Sequence, residues 1–196
     1  MVLQTEKRHY TPEQYLELEE RAEYRSEYRD GEIIPMPGGT TNHNKIAGNF
    51  YKKFPLTVQG QAYEIYFTDV KVWIPRYRLY TYPDVMVVKG EPIYEGTNTT
   101  TITNPMLIVE VLSNSTKFYE KTDKFKYYRS IPEFQEYIMI DQYSFSVEQY
   151  VKKAEGEWIF KEHEGKEAVL ALNSIDFQIS FRDIYERVNF ELSEEE

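Results

Sequence analysis

The run Leu107-Ile108-Val109-Glu110-Val111-Leu112 is apolar at every position but one. Apolar side chains on both parities of a strand require cover on both faces, so the run predicts a central strand of an α/β sheet. The residues after it supply the layers. Ser113 to Thr116 offers several caps for a helix over residues 117–130, Ile131-Pro132 stops that helix, and residues 136–141 predict a second apolar strand. Glu110 is the anomaly. An isolated buried carboxylate is very costly, so Glu110 either meets a cation or sits at a strand end in reach of solvent or an arginine. The local sequence leaves both readings standing.

A second acid shifts the balance. Asp84, in Tyr82-Pro83-Asp84-Val85-Met86-Val87-Val88, stands at the head of another apolar strand. Two strand carboxylates can hold a hard divalent cation, and Mg²⁺ favours such oxygens together with water and substrate phosphate. A lysine beside them can stabilise developing charge or help activate water. The segment 117–129 carries five basic residues and two acids, and helical spacing puts Lys121, Lys124 and Tyr128 along one side, with Phe118 and Phe125 as an inward pair. A mixed-charge helix of this kind is otherwise an ordinary solvated face.

The remaining elements form a scaffold around this stretch. Thr11-Pro12-Glu13-Gln14 carries the residues of a capping box and opens a helix to about Ala22. Residues 24–36 predict a hairpin turning at Asp30-Gly31. Asn42 is a candidate cap for a helix ending at Pro55. Residues 63–74 are β-rich with an interruption at Thr68-Asp69, and 75–82 interleave two arginines with three tyrosines, as suits either a hairpin tip or a base-stacking surface. Residues 91–104 predict a polar connection. After residue 141, three further strands predict an antiparallel extension, and residues 181–188 a short helix.

Composition narrows the chemistry. The 196 residues, 41% hydrophobic, fit one globular domain spanning residues 1–196, with its core at about 42–141. The absence of cysteine excludes disulfides and thiolate chemistry and fits a cytoplasmic protein, as does the lack of a long apolar run for a membrane span or signal peptide. His9, His43 and His163 make no short zinc-ligand pattern, and the chain has no nucleophile elbow and no P-loop. His43 is open to two readings, helix capping or a substrate contact. The net charge of −10 opposes broad nonspecific nucleic-acid binding. Part of that charge is concentrated in an acidic tail of Glu191, Glu194, Glu195 and Glu196.

The blocks EYRDGEIIPMPGGTTNHNKIAGNFY, YPDVMVV, LIVEVLSNST, TDKFKYYRSIPEFQEYIMID and the closing DIY together resemble the Uma family of putative restriction endonucleases, within the PD-(D/E)XK nuclease superfamily. The resemblance spans about residues 10–188. It implies an α/β mixed sheet with a core in the order α-β-β-β-α-β, preceded by a helix and hairpin and followed by the antiparallel extension. It also implies a metal-dependent endonuclease using Mg²⁺, with Mn²⁺ as an alternative, and DNA as substrate, although RNA is not separated from DNA. The motif acids fall on Asp84 and Glu110, as metal ligands and catalytic residues. The motif lysine would fall on Leu112, so the charge is expected from the following helix, from Lys124 first and Lys121 second. Glu32 and His43 lie in family-like blocks as further pocket candidates. Paired strand cutting and exposed strands suit a homodimer. A different class also stays open: a catalytically inactive module that keeps the fold and ties Glu110 into a structural ion pair.

Overall fold

The computed structural model describes residues 8–114 and 116–193. Helix α1 (Pro12–Glu19) begins with the full capping box between Thr11 and Gln14. Strands β1 (Ser26–Arg29) and β2 (Glu32–Pro35) form the expected hairpin, and its two turn residues, Asp30 and Gly31, both have positive φ. Helix α2 (Thr41–Lys53) starts earlier than expected: Thr40, not Asn42, is its cap, accepting from the His43 amide. Asn42 instead exchanges hydrogen bonds with the backbone of Asn189, tying α2 to the end of the chain.

The interruption at Thr68-Asp69 proves to be a change of sheet. Strand β3 (Thr57–Val58) and β4 (Gln61–Phe67) precede it; β5 (Lys71–Ile74) and β6 (Leu79–Thr81) come after it as a hairpin around a short 3₁₀ turn, Pro75–Tyr77. The Arg/Tyr-rich segment is thus a hairpin tip, with Arg78 left-handed at φ 48° and paired to Asp30. The chain returns in β7 (Val85–Lys89), and the polar connection after it contains a short β8 (Thr101–Ile102), parallel to β5. Strand β9 (Leu107–Leu112) is buried throughout. Strands β10 (Glu136–Asp141), β11 (Ser146–Ala154) and β12 (Glu157–Glu164) extend the same sheet, while β13 (Val169–Ala171) and β14 (Gln178–Ser180) pair only with each other before the single turn of α4 (Phe181–Ile184). Helix α4 stops short of the predicted Val188.

Besides the β13-β14 pair, the described residues form two larger sheets, ordered β12-β11-β10-β9-β7-β4-β3 and β2-β1-β6-β5-β8. Strand β9 lies between parallel β10 and antiparallel β7. Alternation along β9 sends Leu107, Val109 and Val111 into a core with Ile46, Phe50 and the C-terminal segment, and Ile108 and Leu112 into a second core with Leu79, Tyr128 and Phe134. Glu110 shares parity with Ile108 and Leu112, so it points into the second layer. On the outer face of the smaller sheet, Tyr15, Tyr28 and Tyr80 seat α1.

The helix after β9 is not a plain α-helix. Here α3 comprises an α turn (Lys117–Tyr119), a π-helical segment (Glu120–Lys124) and a second α turn (Phe125–Tyr128). The wider i→i+5 turn rotates the first α turn against the second. Phe118 and Phe125, expected as an inward pair, therefore separate. Phe125 stacks on Tyr150 at 4.3 Å, whereas Phe118 is 81% exposed. Of the acidic tail, Glu191 lies in a short 3₁₀ turn, and Glu194, Glu195 and Glu196 lie outside the described residues.

Candidate active site

The β7–β9 ladder pairs Val85 with Val109, and just beyond its end the two acids meet. The Val111 amide donates to Asp84 Oδ2 at 2.7 Å, and the Asp84 amide donates to Glu110 Oε2 at 3.3 Å. Each carboxylate thus accepts from the backbone of the other's strand, which fixes both at the strand ends. His43, two residues past the start of α2, sets Nε2 2.8 Å from Asp84 Oδ1. Its backbone is capped by Thr40 and its side chain is committed to Asp84.

Lys124 comes from the π segment of α3. Its Nζ lies 2.9 Å from Glu110 Oε1 and 3.8 Å from Glu27 Oε1, with the side chain only 6% exposed. Tyr128, one turn later, donates to the same Glu110 oxygen at 2.8 Å. Glu110 is thereby paired with a buried ammonium and hydrogen-bonded by a buried phenol. Leu112, on the same strand face two residues on, is packed in the second core.

Lys121 and Glu32 are not brought to this place. Lys121 is bonded to Glu148 on β11, and Glu32 is exposed on β2 across from Arg29. The hairpin acid that does reach inward is Glu27, on β1. It accepts from Thr81 and from Tyr119 (3.1 Å) and sits near Arg29 (3.9 Å). Arg29 in turn lies over the Tyr119 ring at 4.3 Å. Strand alternation carries the signal for both: Tyr28 faces α1, so Glu27 and Arg29 face the other way. Glu120 was also missed. Spacing of four places Glu120, Lys124 and Tyr128 on one helix face, and all three point inward.

Glu27, Arg29, His43, Asp84, Glu110, Glu120 and Lys124 line a cavity of about 490 Å³, together with Arg25, the Pro37-Gly38-Gly39 loop, Tyr82 and Gln142. Two buried polar side-chain atoms among the described residues have no hydrogen-bond partner, Arg29 Nε and Glu120 Oε2. Both belong to residues lining this cavity. A buried polar atom ordinarily finds a partner, so a free donor and a free acceptor in one cavity suit a ligand bearing both functions.

Electrostatics reflect the crowding. Burial pushes Glu110 up to about 8, with Lys124 opposing and Asp84 and Glu120 adding to the rise. Burial likewise pushes Glu120 up to about 7, opposed chiefly by Lys124. For Lys124, burial acts downward, but Glu110, Glu27 and Glu120 outweigh it, so its ammonium is held well above the ordinary lysine range. For His43, burial is again outweighed, by the Asp84 hydrogen bond and charge and by Glu120 and Glu110, and the ring is raised. No three His, Asp or Glu side chains among the described residues already form a metal cage. Asp84 and Glu110 are the two carboxylates that meet at the strand ends, and oxygen ligands of this kind could hold a hard cation such as Mg²⁺, which keeps several waters.

A family model described as "Putative restriction endonuclease", Uma2, matches residues 12–182. The chain belongs to the Uma2 family. Among its relatives, the uncharacterized protein sll1609 of Synechocystis sp. is 42% identical over 158 residues, covering 81% of this chain and 89% of that protein. A second Synechocystis protein, slr1290, also uncharacterized, is 34% identical over 180 residues, covering 92% and 93%. The crystal structure of a "putative nuclease belonging to DUF820" from Anabaena variabilis matches with a TM-score of 0.70 at 18% identity, over 92% of this chain and 99% of that one. At that identity the likeness establishes the fold, which this Uma2 chain shares.

Proposed function

We propose that this Uma2-family chain is a divalent-cation-dependent endonuclease acting on DNA. The observation that carries the reading is the convergence of Asp84 and Glu110 from separate strands, with Lys124 returned to Glu110 by the following helix at 2.9 Å. Asp84 and Glu110 would hold Mg²⁺ or Mn²⁺, which when bound supplies charge neutralisation at the scissile phosphate and acidifies water.

The protein's own groups do the rest. Lys124, kept protonated by the acids around it, stabilises negative charge developing on the phosphate and replaces the lysine that Leu112 cannot provide. Arg29, flattened on Tyr119 in the cavity wall, offers its guanidinium to a phosphate oxygen. His43 orients Asp84 and, as a raised imidazole, lends a proton-bearing ring to the cavity wall. One observation favours a second reading: the Glu110–Lys124–Tyr128 cluster is complete as it stands, as in an inactive module with a structural ion pair.

Plasmid cleavage with Mg²⁺, run beside Asp84→Ala, tests the proposal. Cutting by the parent that disappears in the variant is expected. Cutting that persists in Asp84→Ala assigns the activity elsewhere, and a parent that neither cuts nor binds Mn²⁺ in calorimetry leaves the inactive module.

A further inference from the structure

Four carboxylates line the cavity, and their oxygens can be followed one at a time. Asp84 gives Oδ1 to His43 and Oδ2 to the Val111 amide. Glu110 gives Oε1 to Lys124 and Tyr128, and Oε2 to the Asp84 amide. Glu27 gives Oε1 to Thr81 and Oε2 to Tyr119. Glu120 alone keeps an oxygen, Oε2, buried and without a partner.

Hydrolysis of a phosphodiester needs a group to take the proton of the attacking water. Lys124 is unsuited to that task. Its ammonium already donates to Glu110 at 2.9 Å and lies 3.8 Å from Glu27, so it stands as a donor between two carboxylates. We propose that Glu120 is the proton acceptor for the attacking water. The assignment rests on the nuclease reading above.

The fold holds Glu120 for this role. Its amide donates to Thr116 O at 3.0 Å, and its carbonyl accepts from Tyr137 at 3.1 Å. The carbonyl bond comes from the buried phenol of β10, outside the helix, so the π turn is fixed against the sheet. Glu120 precedes Lys124 by four residues on one face, so acceptor and ammonium address the same phosphate group. In the step, the water oxygen bonds to phosphorus as one P–O ester bond breaks. The water proton passes to Glu120 Oε2, and the departing oxygen takes its proton from solvent. No oxidant or reductant is required.

The test uses the full chain with Mg²⁺ and plasmid DNA, comparing the parent with Glu120→Ala and Glu120→Gln. Both variants are expected to lose about 10²- to 10⁴-fold in rate, with Mn²⁺ binding in calorimetry retained. Added formate, a small carboxylate, is expected to restore cutting to Glu120→Ala, where space has been opened, and not to Glu120→Gln, where the amide fills it. A purely structural glutamate gives no such rescue. Parent-like cutting by either variant overturns the proposal, as does failure of formate in a folded Glu120→Ala; if that variant does not fold, the Glu120→Gln rate decides. Loss of Mn²⁺ binding also overturns it, by making Glu120 a cation ligand. A parent that does not cut removes the nuclease reading and this inference together, whereas a cutting parent with an equally active Glu120 variant removes this inference alone.

Discussion

Glu110 and Lys124 face each other in a site nearly closed to water, so neither charge tolerates loss of the other. Removing one partner of a buried pair typically costs about 3–5 kcal/mol, because the survivor is left uncompensated. Glu110→Ala is expected to fall in that range in urea melts. Glu110→Gln combined with Lys124→Met is expected to recover most of the stability and none of the Mg²⁺-dependent cutting, which separates the pair's structural role from its chemistry. Two titrations beside the pair share one sign. Glu120 is raised from 4.5 to about 7, and His43 is raised above 6.5. In each case the folded protein keeps a proton that the unfolded chain releases, so stability falls as pH rises from about 4.5 through about 7. Urea melts at pH 5 and pH 8 are expected to show this loss, and Glu120→Gln to reduce it by on the order of 2 kcal/mol.

At the scale of elements, two short features aim the site. The π segment of α3 sets Glu120 and Lys124 on the cavity side while leaving Phe118 in solvent. Deleting the half-buried Asp123 is expected to return the turn to α geometry and rotate Lys124 away from Glu110. Far-UV circular dichroism should then stay close to that of the parent while cutting is lost; retained cutting would mean that the wide turn is dispensable. The second feature is the start of α2. Thr40 caps the His43 amide and bonds Gln142 beside β10, so it locates the ring that binds Asp84. Thr40→Ala is expected to cost about 1 kcal/mol in thermal or urea unfolding, the ordinary worth of such a cap. The sequence showed the helix and suggested Asn42 as its cap, but moving the cap to Thr40 required knowing that Asn42 is taken by Asn189.

At the scale of the whole molecule, a net charge of −10 and a cleft with few basic residues imply a locally bound substrate. If Arg25, Arg29 and Lys124 are the principal phosphate contacts, the logarithm of DNA affinity should fall with the logarithm of salt at a slope of roughly −2 to −3. A much steeper slope, measured by fluorescence anisotropy, would place most of the binding surface outside the cavity. The β-α-β run from 107 to 141 was legible because a six-residue strand apolar on both faces admits only a covered, central position, and because caps and Ile131-Pro132 bound the helix between. Asp84 and Glu110 were legible as charges where the pattern forbids them. Their meeting was not, since antiparallel β7–β9 register is a long-range property. Nor did spacing disclose that residues 71–81 leave for a second sheet and bring Glu27 and Arg29 over the strand ends, or that a π turn selects Lys124 over Lys121. Local pattern thus determined which residues lie in the covered strands and helices. Only the tertiary structure decided which charges share one cavity, because the cost of burial is settled by partners that lie far apart along the chain.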